Sequence, residues 1–146
     1  MHHDGVPDFT GLKLTQDART AARWPAIRYV RSEDQPGLSL NPTLIHRGQN
    51  SGYQLLNAAV HLGARRIILL GFDMRLGPNG EVHWHGLHGG DLDNPRSPST
   101  TARWVRQFAA TVPDLARAGV EVLNATPGSA IDCFPRVGLT EALARE

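Results

Sequence analysis

The sequence predicts an α/β domain with a mostly parallel sheet, and two observations support that prediction. Short β-forming runs alternate along the chain with longer segments of helical periodicity, in the order strand, helix, strand, helix, strand. Glycine follows each of the two long helical segments, at Gly63 and Gly119, where a left-handed conformation ends a helix at little cost. This order is typical of right-handed parallel crossovers, so we expect a Rossmann-like arrangement of three layers.

The expected elements follow in order along the chain. Strands are expected at three β-rich or apolar runs, namely residues 24–30, 66–71 and 120–124. Helices are expected over three segments with one apolar face, namely residues 51–62, 99–118 and 139–144. Pro113 predicts a kink or an early break in the second helix, because proline lacks the backbone N–H and clashes with the preceding turn.

The chain of 146 residues is expected to form a single, partial domain. Residues 1–22 are weakly patterned, and residues 73–97 form a long polar loop, rich in Gly, Pro, Asn and His, to which we assign a functional role. Three strands make a thin sheet, since sheets commonly have about 5–6. We therefore expect that the domain is truncated at its N-terminus and lacks the strands that would complete the sheet.

Composition narrows the classes of partner. The formal net charge is +1, and no basic patch with interleaved aromatic residues occurs, so we expect no nucleic-acid partner. No apolar run approaches the ~20 residues that a membrane-spanning helix needs. Cys133 is the single cysteine, which excludes an internal disulfide and favours a reducing compartment. We expect a cytoplasmic protein without a membrane span.

The first candidate binding segment is Gly-Gln-Asn-Ser-Gly, residues 48–52, directly before a predicted helix. Asn50 or Ser51 can cap that helix, and Gly52 lets a ligand approach the backbone of its first turn. Free amide groups and the helix dipole there favour an anion such as phosphate. A capped helix with a flexible entry explains these residues about as well, and the Gly-Lys-Ser/Thr ending of a Walker loop is missing.

Two further polar segments end predicted strands, where ligands bind in open α/β sheets. Gly71 and Asp73 close the most apolar strand, and Asp73 can accept hydrogen bonds from ribose hydroxyls or hold a metal. An acidic cap for the following turn is the alternative. Asn124, Thr126 and Ser129 follow the last strand, although a polar connecting turn would also explain them.

The long loop holds three histidines within six residues, His83, His85 and His88. An imidazole can act as a general base near neutral pH or as a metal ligand. Together with Asp91 the three histidines offer enough donors for a divalent metal ion, although their spacing matches no closed structural zinc site. The sequence thus leaves open both a base and a metal-binding role.

Several segments between about residues 44 and 143 carry a family pattern. Three of them are Asn-Ser-Gly-Tyr at 50–53, Ala-Ala through Leu-Gly-Ala at 58–64, and the apolar run ending in Gly-Phe-Asp at 67–73. They resemble the core of a superfamily that includes bacterial lipooligosaccharide sialyltransferases and archaeal 6-hydroxymethylpterin pyrophosphokinase-like proteins. Uncharacterised phage and prophage proteins carry a particularly similar pattern, which includes His-Trp-His-Gly at 83–86 and Val-Leu-Asn through Ser at 122–129 with Phe-Pro at 134–135.

The resemblance implies a nucleotide- or nucleotide-sugar-binding transferase, related to glycosyltransferases. Asn50, Ser51 and Gly52 would contact the nucleotide, and the turn at 124–129 would lie near the donor. His88 or His85 would deprotonate the acceptor hydroxyl for inverting attack on the sugar of CMP-sialic acid. The N-terminal strand and Gly-rich turn of the family have no counterpart in this chain, so half of the donor site would be missing.

Two other functions stay open at this point. One is a metal-dependent hydrolase that uses the cluster His83, His85 and His88 with a metal-activated water. The other is a non-catalytic phage or prophage accessory protein, or a remnant of an enzyme. The sequence also leaves open whether a second copy covers an exposed sheet edge, which would make a homo-oligomer.

Overall fold

A computed structural model describes residues 9–77, 79–81 and 98–144 as a mixed α/β protein with parallel strand pairing. The strands are β1 Lys13–Thr15, β2 Ile27–Tyr29, β3 Arg31–Glu33, β4 Leu44–His46, β5 Arg66–Leu69 and β6 Glu121–Asn124. The helices are α1 Ala18–Arg23, α2 Ser51–His61, α3 Pro98–Ala110, α4 Val112–Ala118 and α5 Leu139–Ala144. The predicted α/β class with parallel strands is confirmed.

The described strands form three parallel pairs, β1 with β2, β3 with β4, and β5 with β6. β2 and β3 are separated by one residue, Val30, whose N–H donates to the carbonyl of Thr15 at 2.8 Å. No ladder joins β4 to β5 within the described part of the chain. The single continuous sheet that a Rossmann-like fold requires is therefore not seen there, and the three-layer arrangement stays a prediction.

Side chains of α2 explain why β4 and β5 do not pair. The N–H of Arg47 bonds to Glu33 in β3, so the backbone groups of Leu44 and His46 point away from β3. The His46 N–H donates to Oδ1 of Asn57 at 2.9 Å, and Nε2 of His61 lies 2.9 Å from the Leu44 carbonyl oxygen. The edge of β4 is thus covered by α2 in place of a strand.

The core lies between α2, the helix pair α3–α4 and the β5–β6 pair. Tyr53 and Phe108 are fully buried at its centre. The ring of Phe108 meets Tyr53 edge to face at 5.7 Å between centroids, and it meets Phe72 likewise at 5.8 Å. The buried members of this cluster are Leu38, Tyr53, Leu56, Leu69, Phe108, Leu115, Val122, Ile131 and Phe134.

Most of the predicted helices are found within a residue or two of their predicted bounds. The long helix predicted over 99–118 breaks at Thr111, and Pro113 lies in the first turn of α4, where its missing N–H needs no partner. Gly119 ends α4 in a left-handed conformation with φ of 66°. The sequence did not reveal β1, α1, β3 or β4, since β1 and α1 lie mostly in the weakly patterned segment and β3 and β4 have only three residues each.

No helix of the described residues combines the length and apolar character that crossing a membrane requires.

Candidate functional site

The loops that follow β5 and β6 meet beyond the carboxyl ends of these two strands, as the sequence predicted. The backbone of Phe72 is held by two side chains of the later loop. Its N–H donates to Oγ1 of Thr126 at 3.0 Å, and its carbonyl accepts from Oγ of Ser129 at 2.6 Å. The Ala130 N–H donates to the Asp73 carbonyl at 2.8 Å. These bonds fix the two loops side by side.

The N-terminus of α2 joins the same edge through the ring of Phe72. A Cβ added to Gly52 would lie 2.5 Å from Cε1 of that ring. Glycine at position 52 therefore lets the Phe72 ring pack closely against the backbone, and the space beside its Cα is filled by that ring. We call the three segments that meet here, residues 50–52, 71–75 and 124–130, the rim.

The entry to α2 is more constrained than a flexible turn. Asn50 is the N-cap, and its Oδ1 accepts from the Tyr53 N–H at 3.1 Å. Gly48 and Gln49 both adopt positive φ, 53° and 54°, and the backbone of Gly48 packs against the Tyr53 ring. Between the two capping residues that the sequence offered, the structure selects Asn50, and it leaves Ser51 exposed in the first turn.

Three predicted binding side chains of the rim are buried and bonded within the protein. Oδ1 of Asn124 accepts from the Thr126 N–H at 3.1 Å, and its Nδ2 donates to the Ile131 carbonyl at 3.0 Å. Thr126 Oγ1 also lies 3.3 Å from the Leu69 carbonyl. Ser129 Oγ accepts from the Ile131 N–H at 3.1 Å while it donates to Phe72. These side chains shape the loop, in which only Pro127 and Gly128 are exposed.

Exposed groups of both charges lie on the rim. Asp73 is exposed, as is Gly71, whose φ of 76° turns the chain at the end of the strand. The guanidinium of Arg75 lies against the backbone of Gly128, because a Cβ there would come within 2.6 Å of Nη2. Sequence reasoning did not select Arg75, and no local pattern signals that it lies near Gly128. The rim thus combines an exposed carboxylate and an exposed cation.

The predicted base and metal ligands lie outside the described residues: His83, His85, His88 and Asp91. Within the described ranges, no three His, Cys, Asp or Glu side chains are grouped so that they could hold a metal ion. Cys133 offers no nucleophile, since burial raises the pKa of its thiol to about 11 and keeps it protonated at neutral pH.

A second polar cluster, which sequence reasoning missed, surrounds the turn at Gly37. The Tyr53 hydroxyl donates to the Gly37 carbonyl, and Nδ1 of His46 lies 2.9 Å from the same oxygen. Oδ2 of the buried Asp114 accepts from the Leu38 N–H at 2.6 Å. Removal from water, and then the charge of Asp114, raise the pKa of Tyr53 to about 12. The polar atoms named here bond to one another inside the protein, which indicates a structural role.

No protein-family model, curated protein or solved structure matches the chain.

Proposed function

We propose that the chain is a nucleotide-binding domain of transferase type, which holds a nucleotide or nucleotide-sugar donor at the rim. The observation that carries the proposal is the convergence of the α2 N-terminus with both strand-end loops around Phe72. Ligands of parallel α/β proteins bind at this kind of edge, where a helix begins beside the carboxyl ends of strands. The Rossmann-like three-layer arrangement belongs to the same proposal.

A phosphate group fits the chemistry of this edge. Asn50 caps one amide of α2, while no described residue accepts from the N–H groups of Ser51 and Gly52. The 11-residue helix adds the positive end of its dipole, which favours an anion within the first turn. Arg75 supplies a formal positive charge on the same rim, and a guanidinium can bind phosphate oxygens through two bonds at once.

The exposed carboxylate of Asp73 suits the sugar end of such a ligand, because carboxylates accept hydrogen bonds from ribose hydroxyls. In the proposal, the loop after β6 contacts the ligand, and its conformation is fixed by the side chains of Asn124, Thr126 and Ser129. His88 or His85, from the loop that follows the rim, is the general base that deprotonates the acceptor hydroxyl.

Thermal melts of the chain against a panel of ligands test the binding step. The panel pairs cytidine with CMP, adds UMP and ADP with their sugar or diphosphate forms, and repeats each with Mg²⁺ or Zn²⁺. A ligand at ~100 times its Kd adds about 2.7 kcal/mol to the free energy of unfolding. We expect a rise in Tm of roughly 5–10 °C for one nucleotide and none for its nucleoside. A rise with Zn²⁺ alone would support a metal-dependent hydrolase instead.

A matched pair of variants at Ser51 locates the phosphate. Ser51→Asp places a negative charge in the first turn of α2, which stabilises the helix but repels a bound phosphate. Ser51→Ala leaves the charge unchanged. We expect the nucleotide-induced rise in Tm to vanish in Ser51→Asp and to persist in Ser51→Ala. An equal rise in both variants would show that the phosphate binds elsewhere.

Catalysis has a separate test. We expect either His88→Ala or His85→Ala to abolish sugar transfer while the nucleotide-induced rise in Tm is kept. Full transfer activity in both variants would rule out a histidine base in this loop, without bearing on the binding site.

A further inference from the structure

Two arginine side chains reach the same exposed turn of the rim, at Gly128. A Cβ added to Gly128 would lie 2.6 Å from Nη2 of Arg75 and 3.2 Å from its Cζ, so the guanidinium of Arg75 lies against this turn. Nη2 of Arg136 donates to the carbonyl of the next residue, Ser129, at 2.6 Å. Arg75 follows β5 and Arg136 follows β6, so the tertiary structure brings two distant cations to one turn.

No carboxylate of the described residues neutralises either guanidinium. Across the part of the chain that the structure describes, ion pairs join Arg31 with Glu33, Arg47 with Asp34, Arg66 with Glu121, and Arg117 with Asp114. The exposed Asp73 and Asp132 lie in the same two loops, and neither forms an ion pair with Arg75 or Arg136. Two like charges at one turn repel each other, and a bound anion would relieve that repulsion.

Both guanidiniums keep hydrogen-bond donors for a ligand. A guanidinium has five N–H donors in a planar fork. Arg136 donates to Ser129, and Arg75 forms no hydrogen bond with the described residues. Both arginines are exposed to solvent. Because one guanidinium can donate two parallel bonds to a phosphate group, the chemistry of this pair suits phosphate.

The Gly128 turn and the start of α2 contact the same residue, Phe72. The Phe72 ring packs on Gly52 at the start of α2, and the Phe72 carbonyl accepts from Oγ of Ser129, beside the turn. The rim therefore has two places for an anion, namely the first amides of α2 and the arginine pair at Gly128. A ligand with one phosphate has a charged group for one of them, whereas a diphosphate has a charged group for each.

We propose that the rim binds a nucleoside diphosphate, free or esterified to a sugar, with its second phosphate at Arg75 and Arg136. This inference rests on the proposed function, because it specifies which nucleotide the rim holds. A donor with a single phosphate, such as CMP-sialic acid, would leave the arginine pair without its anion.

Three pairs of nucleotides that differ only in the second phosphate test the ligand class: CMP with CDP, UMP with UDP, and AMP with ADP. Isothermal titration calorimetry of the full chain measures each Kd in EDTA and again with Mg²⁺. For the base that binds, we expect the Kd of the diphosphate in EDTA to be about tenfold lower than that of the monophosphate, because it gains charge-assisted bonds.

The outcomes separate this inference from the proposed function. Equal Kd values within each pair would overturn the inference and leave nucleotide binding established. A preference for the diphosphate that requires Mg²⁺ would also overturn it, because a metal ion and not the arginine pair would then hold the second phosphate. No binding by any of the six nucleotides, in either condition, would overturn the inference and the proposed function together.

Variants that each remove one positive charge locate the second phosphate. We expect Arg75→Gln and Arg136→Gln each to reduce the preference for the diphosphate about tenfold. Arg65→Gln is the matched control, since Arg65 is exposed at the opposite end of β5. Five residues of strand separate it from Leu70, roughly 16 Å, which exceeds the Debye length of ~8 Å at physiological ionic strength.

The control and the two test variants give opposite expectations. Arg65→Gln should keep the preference for the diphosphate, and a loss equal to that of the test variants would trace the preference to overall charge and refute the site. A preference that persists in both Arg75→Gln and Arg136→Gln would refute it too. Because Arg75 forms no hydrogen bond with the described residues, Arg75→Gln should melt at the same Tm as the unsubstituted chain in the absence of ligand.

Discussion

Two parallel strand pairs of this protein share a backbone pattern and differ in what holds them together. The N-terminal pair, β1 with β2, connects through α1, and none of these three elements has a fully buried residue. In the pair of β5 with β6, by contrast, Leu69 and Leu123 are almost wholly removed from solvent. Parallel pairing alone therefore does not create a core, because the stabilising free energy comes from apolar area that leaves water.

Polar contacts stabilise the N-terminal unit, by which we mean residues 9–30 with β1, α1 and β2. The side chain of Asp17 caps α1, and Nε2 of Gln16 donates to Oε1 of Gln54 in α2 at 2.6 Å. Meanwhile Leu12, Leu14 and Tyr29 stay largely exposed. A region with few buried apolar contacts opens at lower free energy than the core, so we expect the N-terminal unit to open first.

The largest contrast between the two regions should come from removing one aromatic ring from each. Phe108→Ala deletes a fully buried ring that packs on Tyr53 and Phe72, and we expect the free energy of unfolding to fall by about 3–5 kcal/mol. Phe9→Ala deletes a ring that is 53% exposed and should change that free energy by less than about 0.5 kcal/mol. Urea denaturation measures both, and similar losses would mean that the N-terminal unit contributes to the core.

An intermediate effect is expected where α2 covers the edge of β4. Asn57→Ala removes the acceptor for the N–H groups of the buried Ser39 and the half-buried His46, and we expect a loss of about 2–4 kcal/mol in the free energy of unfolding. Asn41→Ala is the matched control, since its exposed amide also accepts two bonds, both from Thr43. Water replaces those bonds, so its loss should stay below about 1 kcal/mol. Equal losses measured in urea would contradict the structural role of Asn57.

The smallest effect concerns pH and the N-terminal unit alone. A hydrogen bond from the Thr20 hydroxyl, and then bonds from the Arg19 and Thr20 N–H groups, lower the pKa of Asp17 below its ordinary 3.8. A lowered pKa stabilises the folded form above the unfolded value, and the stabilisation disappears as pH falls through the folded value. Hydrogen exchange of the α1 amides, relative to the intrinsic rate at each pH, should therefore speed up in acid below pH 3.8, while the β5 and β6 amides keep their protection.

A variant at the same position provides the control. Asp17→Asn keeps an oxygen that can cap α1 and has no charge to titrate. We expect its α1 exchange to lack the acid-induced increase. An increase of the same size in Asp17→Asn would trace the acid effect to another group.

Local signals in the sequence were sufficient for the helices α2 to α5. The periodicity of α2, the break before Pro113 and the glycine at 119 are properties of a few neighbouring residues, and each was predicted. The three-residue strands β3 and β4 gave no such signal, because three residues do not display a period. Their pairing depends on contacts far apart in the chain, such as that between Glu33 and Arg47.

The candidate site also combines features that the sequence predicted with features that it did not predict. That the segments after β5 and β6 meet was predictable, since the carboxyl ends of adjacent parallel strands lie at one edge. The individual roles were not. The sequence assigned Gly52 to ligand approach, whereas the structure fills that space with Phe72, and the buried Ser129 holds the Phe72 backbone. Arg75 was missed because its position beside Gly128 follows from how the two loops pack.

The sequence by itself determined the α/β class, the approximate bounds of α2 to α5 and the parallel direction of the pair formed by β5 and β6. Those features follow from apolar periodicity and from turn residues, which act over a few positions of the chain. Tertiary structure decided that Asn57 and His61 cover the β4 edge and that Phe72 joins the rim. Each of these features depends on a contact between a side chain and the backbone of another segment of the chain. No local sequence pattern contains that information.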